Sequence, residues 1–202
     1  MAKLVPVPLE LGDGVPRLLI VDGVPYCVVK SGGTLCAFVA VCSHIALPLW
    51  FTPVPLTLQP FAVLLLGLLL APRLAAATLI AYLAEGAAGL PVFAPGLTLA
   101  GGIAHLFGPT GGYLFAYPAA AMLISLLYRR TPRAFSAALA SAAIGNLLIL
   151  VCGAIWLAAF THISMRTAIG LAIVPFLPGD ALKVAAAAAI ASGFQRVRPQ
   201  NA

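Results

Sequence analysis

Charge is what this sequence has least of: Asp and Glu number 5 in 202 residues, Lys and Arg 11, and charged residues make up 8% of the chain. Soluble domains carry about 25%. From about residue 33 onward the chain is too poor in charge to face water all round, and a soluble globular domain is excluded there. No glycine pattern of the P-loop kind or any other phosphate cradle is present, so the chain has no nucleotide site of its own. His44, His105 and His162 are scattered, and Cys27, Cys36, Cys42 and Cys152 lack metal-ligand spacing, so neither a metal nor another cofactor is expected. Nor do the apolar runs alternate with polar residues, as the roughly ten-residue strands of a membrane β-barrel would.

What the chain does have is apolar length. Hydrophobic residues make up 62% and the mean hydropathy is +1.09. A hydrocarbon core roughly 30 Å thick takes about 20 helical residues to cross, which predicts an all-α membrane protein with six transmembrane helices. The predicted spans cover 33–49, 56–70, 73–90, 112–128, 134–160 and 179–194, with proline and glycine at the stops between them. The connectors after the second and fourth spans, "APR" and "YRRTPR", are short and basic. Those after the first, third and fifth are long, rich in Pro, Gly and aromatics, and poor in charge.

Alternation puts the three long connectors on one side of the membrane. Lys3, Arg17, Lys30, Arg73, Arg129, Arg130, Arg133, Arg196 and Arg198 fall on the other side, and Arg166 alone lies among the long connectors. By the positive-inside rule both termini are cytoplasmic and the long connectors face outward, where a solute arrives. The expected organisation is a cytoplasmic extension over 1–32, a membrane domain over 33–196 and a tail over 197–202. Within the extension, "RLLIVDGVPYCVV" sets two apolar runs around Asp22-Gly23, a pair favoured in tight hairpins; a disordered tail is the competing reading.

Polar residues inside the spans are costly in lipid and must face the bundle interior or a cavity. They are Gln59, Tyr82, Glu85, Asn146, Asp180 and Lys183. Tyr82 and Glu85 are three apart, as are Asp180 and Lys183, so each pair shares a helix face. All but Asn146 lie toward the outer ends of their helices, where they can line one pocket. The competing readings are an interfacial ion pair with Lys183 snorkelling outward, Asn146 as interhelical glue, and Glu85 as a helix-end residue.

The ordered segments "LPLWFTPVPLTLQPFAVLLLGLLLAPRLAA", "YLAEGAAGLPVFA", "GPTGGYLFAYPAAA" and "PFLPGDALK" resemble the BioY family, over nearly all of residues 35–195. Those proteins are biotin-binding S-components of energy-coupling-factor (ECF) vitamin transporters. The resemblance implies a non-enzymatic six-helix S-component-like bundle in the cytoplasmic membrane that captures biotin from outside. It points to Asp180 and Lys183 as polar arms of the site, then to Tyr113, Gln59, Tyr82 and Asn146. Gly111 and Gly112 are expected to let backbone approach the ligand, and Tyr113 or Trp50 to cover its apolar part.

The resemblance also implies partners: a scaffold transmembrane subunit and two cytoplasmic ATPases, which supply the energy this chain cannot, with no nucleic acid involved. Gly33, Cys36, Ala37, Ala40 and Ser43, spaced by three and four, form a candidate docking stripe on the first helix; ordinary internal packing is the alternative. Rival functions are a stand-alone or ion-coupled vitamin carrier and a membrane subunit with no substrate of its own.

Overall fold

The computed structural model describes residues 16–21, 24–31, 34–37, 39–94, 102–132 and 134–197. Three strands come first among the described residues, β1 (Pro16–Val21), β2 (Val24–Ser31) and β3 (Thr34–Ala37), paired antiparallel in the order β1-β2-β3. Val21 faces Val24, so Asp22-Gly23 joins the strands of the expected hairpin. Ser31 faces Thr34 across Gly32-Gly33, and this second two-residue connection carries the sheet past residue 32.

That third strand corrects the expected first helix over 33–49. Its helical part is α1 (Val39–His44), six residues long, followed by a two-stranded ribbon of β4 (Ala46–Leu47) and β5 (Leu56–Thr57). The apolar residues of 34–37 satisfy their backbone groups by pairing with β2, and helical structure begins only beyond them.

The other five predicted spans each correspond to a long helix. In order come α2 (Gln59–Leu69), α3 (Pro72–Ala87), a short α4 (Ile103–Leu106) that no span predicted, α5 (Gly111–Arg129) and α6 (Phe135–Thr161). Then come α7 (Met165–Ala172), a 3₁₀ turn at Val174–Phe176 and α8 (Leu177–Val197). Pro60 and Pro72 sit in the first two positions of α2 and α3, where a missing N–H costs nothing. By length and composition, α5, α6 and the stretch Met165–Phe194 suffice to cross a membrane; α2 is apolar but shorter.

Helix α5 is the central element, 61% buried over its apolar window against 39% for α6 and 33% for the Met165–Phe194 stretch. It packs against α2, α3 and α6, while α8 closes the bundle against α2 and α6. The side chains of α6 divide by helical period: Ile144, Leu147, Val151 and Ile155 are exposed, whereas Asn146, Ile149, Gly153 and Leu157 are buried. An apolar exposed stripe beside a polar-containing interior is the arrangement expected where the surroundings are lipid.

Close approach of α5 and α6 depends on small residues. A Cβ on Gly112 would overlap Trp156 and approach the Cys152 carbonyl to 2.6 Å, and a Cβ on Gly153 would overlap the ring of Tyr113. Such contacts hold helices together in lipid, where tails are as apolar as the side chains and packing must supply the attraction.

Candidate functional site

The starts of α2, α5 and α8 converge on a cavity at one end of the bundle, closed laterally by the middle of α6 and by the connectors before α2 and α5. It holds about 120 Å³ of space for the centres of water-sized molecules. At 10–15 Å³ for each water, that is room for on the order of ten, a small organic molecule rather than an ion. Its wall is largely apolar, with Val54, Leu114, Ile149, Leu150 and Phe176, and is stiffened by Pro53, Pro55, Pro60 and Pro109. Polar groups are few: Thr57, Gln59, His105, Thr110, Tyr113, Tyr117, Asp180 and Lys183.

Asp180 and Lys183 stand one turn apart at the start of α8 and reach into the bundle. Lys183 Nζ donates to Asp180 Oδ1 at 2.9 Å, and Asn146 Nδ2 of α6 donates to Asp180 Oδ2 at 3.1 Å. Asp180 is 4% exposed and Lys183 8%, so the lysine does not snorkel outward. A position in the first turn of α8 favours the carboxylate through the helix dipole. The ammonium has three hydrogens and gives one to Asp180, which leaves donors for a ligand oxygen. Asn146 lies behind the cavity wall as a partner of Asp180, and its Oδ1 accepts no hydrogen bond among the described residues.

A second polar chain starts at Gln59. Gln59 Nε2 donates to Tyr82 Oη at 2.7 Å, and Tyr82 Oη donates to the Val92 carbonyl at 2.8 Å. Ser43 Oγ donates to that same carbonyl at 2.6 Å. Tyr82 is therefore buried support for the wall rather than part of it. On α5, Tyr113 lines the cavity over Gly153 and donates to the Ala172 carbonyl at 2.7 Å, which ties the end of α7 to the site. Trp156 Nε1 donates to the Gly108 carbonyl at 2.8 Å and anchors the connector before α5.

Several expected assignments change. Trp50 is 96% exposed, meets Phe51 edge to face at 5.5 Å and is outside the cavity wall, so it covers nothing there. Gly111 and Gly112 pack against the Leu106 carbonyl and Trp156 and are outside the cavity wall; the connector residues that line the cavity are Gly108, Pro109 and Thr110. Glu85 is partly buried on α3, one turn beyond Tyr82 and outside the wall. Ala40 and Ser43 of the expected docking stripe are 1% and 0% exposed, so they pack internally and present no surface to a partner. Gly33 lies outside the described residues, as do the side chains of Cys36 and Ala37.

Sequence reasoning missed His105, Thr57, Thr110 and Tyr117 as lining residues. His105 stacks on Phe93 with ring centroids 5.0 Å apart. The signal for His105 and Thr110 was their place in a long, charge-poor connector; Tyr117 is one turn after Tyr113, a spacing that puts both on one face.

A family model described as the BioY family matches residues 29–200. The chain is 38% identical over 171 residues to the biotin transporter BioY of Thermotoga maritima, covering 85% of this chain and 97% of that protein. It is 41% identical over 143 residues to the probable biotin transporter BioY of Pyrococcus horikoshii, covering 71% and 82%. Its fold is similar to the 2.1 Å crystal structure of the S-component for biotin from an ECF-type ABC transporter: the TM-score is 0.73 and the identity 29%, over 80% of this chain and 86% of that one.

Proposed function

The chain belongs to the BioY family, and on that premise we propose that it captures biotin at the outer face of the cytoplasmic membrane for uptake. The observation that carries this reading is the buried Asp180–Lys183 pair in the wall of a largely apolar cavity. Biotin combines a cyclic urea, with two N–H donors and a carbonyl acceptor, a carboxylate, and an apolar ring and chain. Lys183 offers donors to an oxygen, Asp180 and Gln59 offer acceptors, and Tyr113, Leu114, Ile149 and Phe176 receive the apolar part. Tyr82 and Asn146 act from behind by orienting Gln59 and Asp180.

Energy comes from outside the chain in this proposal. A scaffold transmembrane subunit and two cytoplasmic ATPases couple hydrolysis to release of biotin inward. In this proposal the helical part of the chain, from Val39 to Val197, forms the substrate domain, and Arg129 and Arg130 lie on the cytoplasmic side.

Mass spectrometry of small molecules released from the purified protein tests the substrate, with biotin as the expected species. In competition, biotin is expected to exceed riboflavin and thiamine by at least about a hundredfold, because a site built for hydrogen bonds rejects ligands that leave buried groups unpaired. Equal competition by another vitamin would remove the substrate assignment. Trp50→Ala, at a side chain open to its surroundings, is expected to change biotin affinity by less than about 0.5 kcal/mol; a tenfold loss would mean that the aromatic tip folds over the bound ligand.

Orientation has its own test. A cysteine replacing Arg130, in a background without native cysteines, is expected to resist an impermeant thiol reagent added to whole cells, while one replacing Arg166 reacts. The reverse pattern would invert the topology.

A further inference from the structure

We infer that Tyr82 is a positioning residue that fixes which atom of the Gln59 amide faces the ligand, making Gln59 Oε1 a dedicated acceptor for one urea N–H. The inference rests on the biotin reading and adds the device that sets the polarity of one wall.

The argument follows the protons. The Val92 carbonyl can only accept, so the phenol hydrogen of Tyr82, 2.8 Å away, is directed to it. A phenol has one such hydrogen. Toward Gln59, at 2.7 Å, Tyr82 can therefore only accept, and the amide must present Nε2 to it. With Nε2 committed, Oε1 is the atom left for the cavity that Gln59 lines. Gln59 is 3% exposed, and its oxygen accepts no hydrogen bond among the described residues. A buried acceptor of this kind selects a ligand that brings an N–H and penalises one that does not.

The anchor of the relay is rigid. Tyr82 and Val92 are both 0% exposed, and the Tyr82 ring meets Phe93 edge to face at 5.5 Å. Ser43 Oγ donates to the same Val92 carbonyl, which ties the connector to α1 as well as to α3. The orientation of one side chain in the cavity is thus set by a backbone carbonyl two hydrogen bonds away, and of the three groups in the relay Gln59 alone lines the wall.

The test compares biotin with its two derivatives methylated at one or the other urea nitrogen, by titration on detergent-purified full-length protein. Wild type is expected to prefer biotin to at least one derivative by about tenfold or more. Tyr82→Phe frees the amide to turn: biotin binding falls about tenfold, binding of that derivative changes less than about twofold, and the preference collapses. Ser43→Ala leaves the Tyr82 bond to Val92 in place, so it lowers thermal stability and keeps the preference. If Tyr82→Phe does not yield monodisperse protein, Gln59→Met, which removes the acceptor itself, is expected to show the same collapse. Equal weakening of all three ligands, or an undiminished preference, overturns the relay. Wild-type protein that binds no biotin overturns the functional reading beneath it instead.

Discussion

Lys183→Ala is expected to weaken biotin binding at least about thirtyfold in protein that still folds. The substitution removes the ammonium facing the cavity and leaves Asp180, 4% exposed, hydrogen-bonded to the neutral Asn146 amide but without its cation. Asp180→Asn keeps the shape and removes the charge, and it is expected to act in the same direction. Breaking a buried charged hydrogen bond across an interface costs at least about 2 kcal/mol, which is roughly thirtyfold in affinity. A pair that only braces α8 against α6 predicts something different: lower thermal stability with wild-type affinity in the protein that survives. Titration of biotin into monodisperse variants, beside their melting temperatures, separates the two, and unchanged affinity in both would make the pair structural.

Gly153→Val is expected to have the largest effect on folding. Its Cβ would occupy the space of the Tyr113 ring, which is held from the other end by its bond to the Ala172 carbonyl. Overpacking by single methylenes costs about 1–3 kcal/mol, and valine adds three carbons where the two helices have no slack. The variant is expected to lose most of its monodisperse fraction on size exclusion. Adding Tyr113→Ala opens the space and is expected to restore folding while leaving biotin binding weak, because the cavity has lost a wall. A well-folded, tightly binding Gly153→Val protein would show that α5 and α6 do not depend on this contact.

Both predictions concern residues that differ in how plainly a sequence can mark them. Asp180, Lys183 and Gln59 stood out because a polar group inside an apolar span carries a cost that only an interior position relieves, and all three line the cavity. The same logic located Asn146 and Tyr82 in the interior but could not tell a lining residue from a supporting one. That distinction depends on whether the neighbour across the helix is empty space or another side chain, and here it is Asp180 for the first and Gln59 for the second.

Composition by itself determined that the chain is a helical membrane protein, since apolar length and scarce charge leave it no other solvent. Sequence also located most of α2, α3, α5, α6 and α8, because proline and glycine stop helices through local backbone geometry. Tertiary structure decided the rest. Residues 34–37 are apolar enough for helix or strand, and pairing with β2 chose strand. Gly112 and Ser43 are small in either role, and only the positions of Trp156 and Val92 turn them to internal packing. Trp50 is aromatic wherever it points; the ribbon of β4 and β5 carries it away from the cavity. A residue's size and polarity are local properties, but what it touches is set by segments far along the chain.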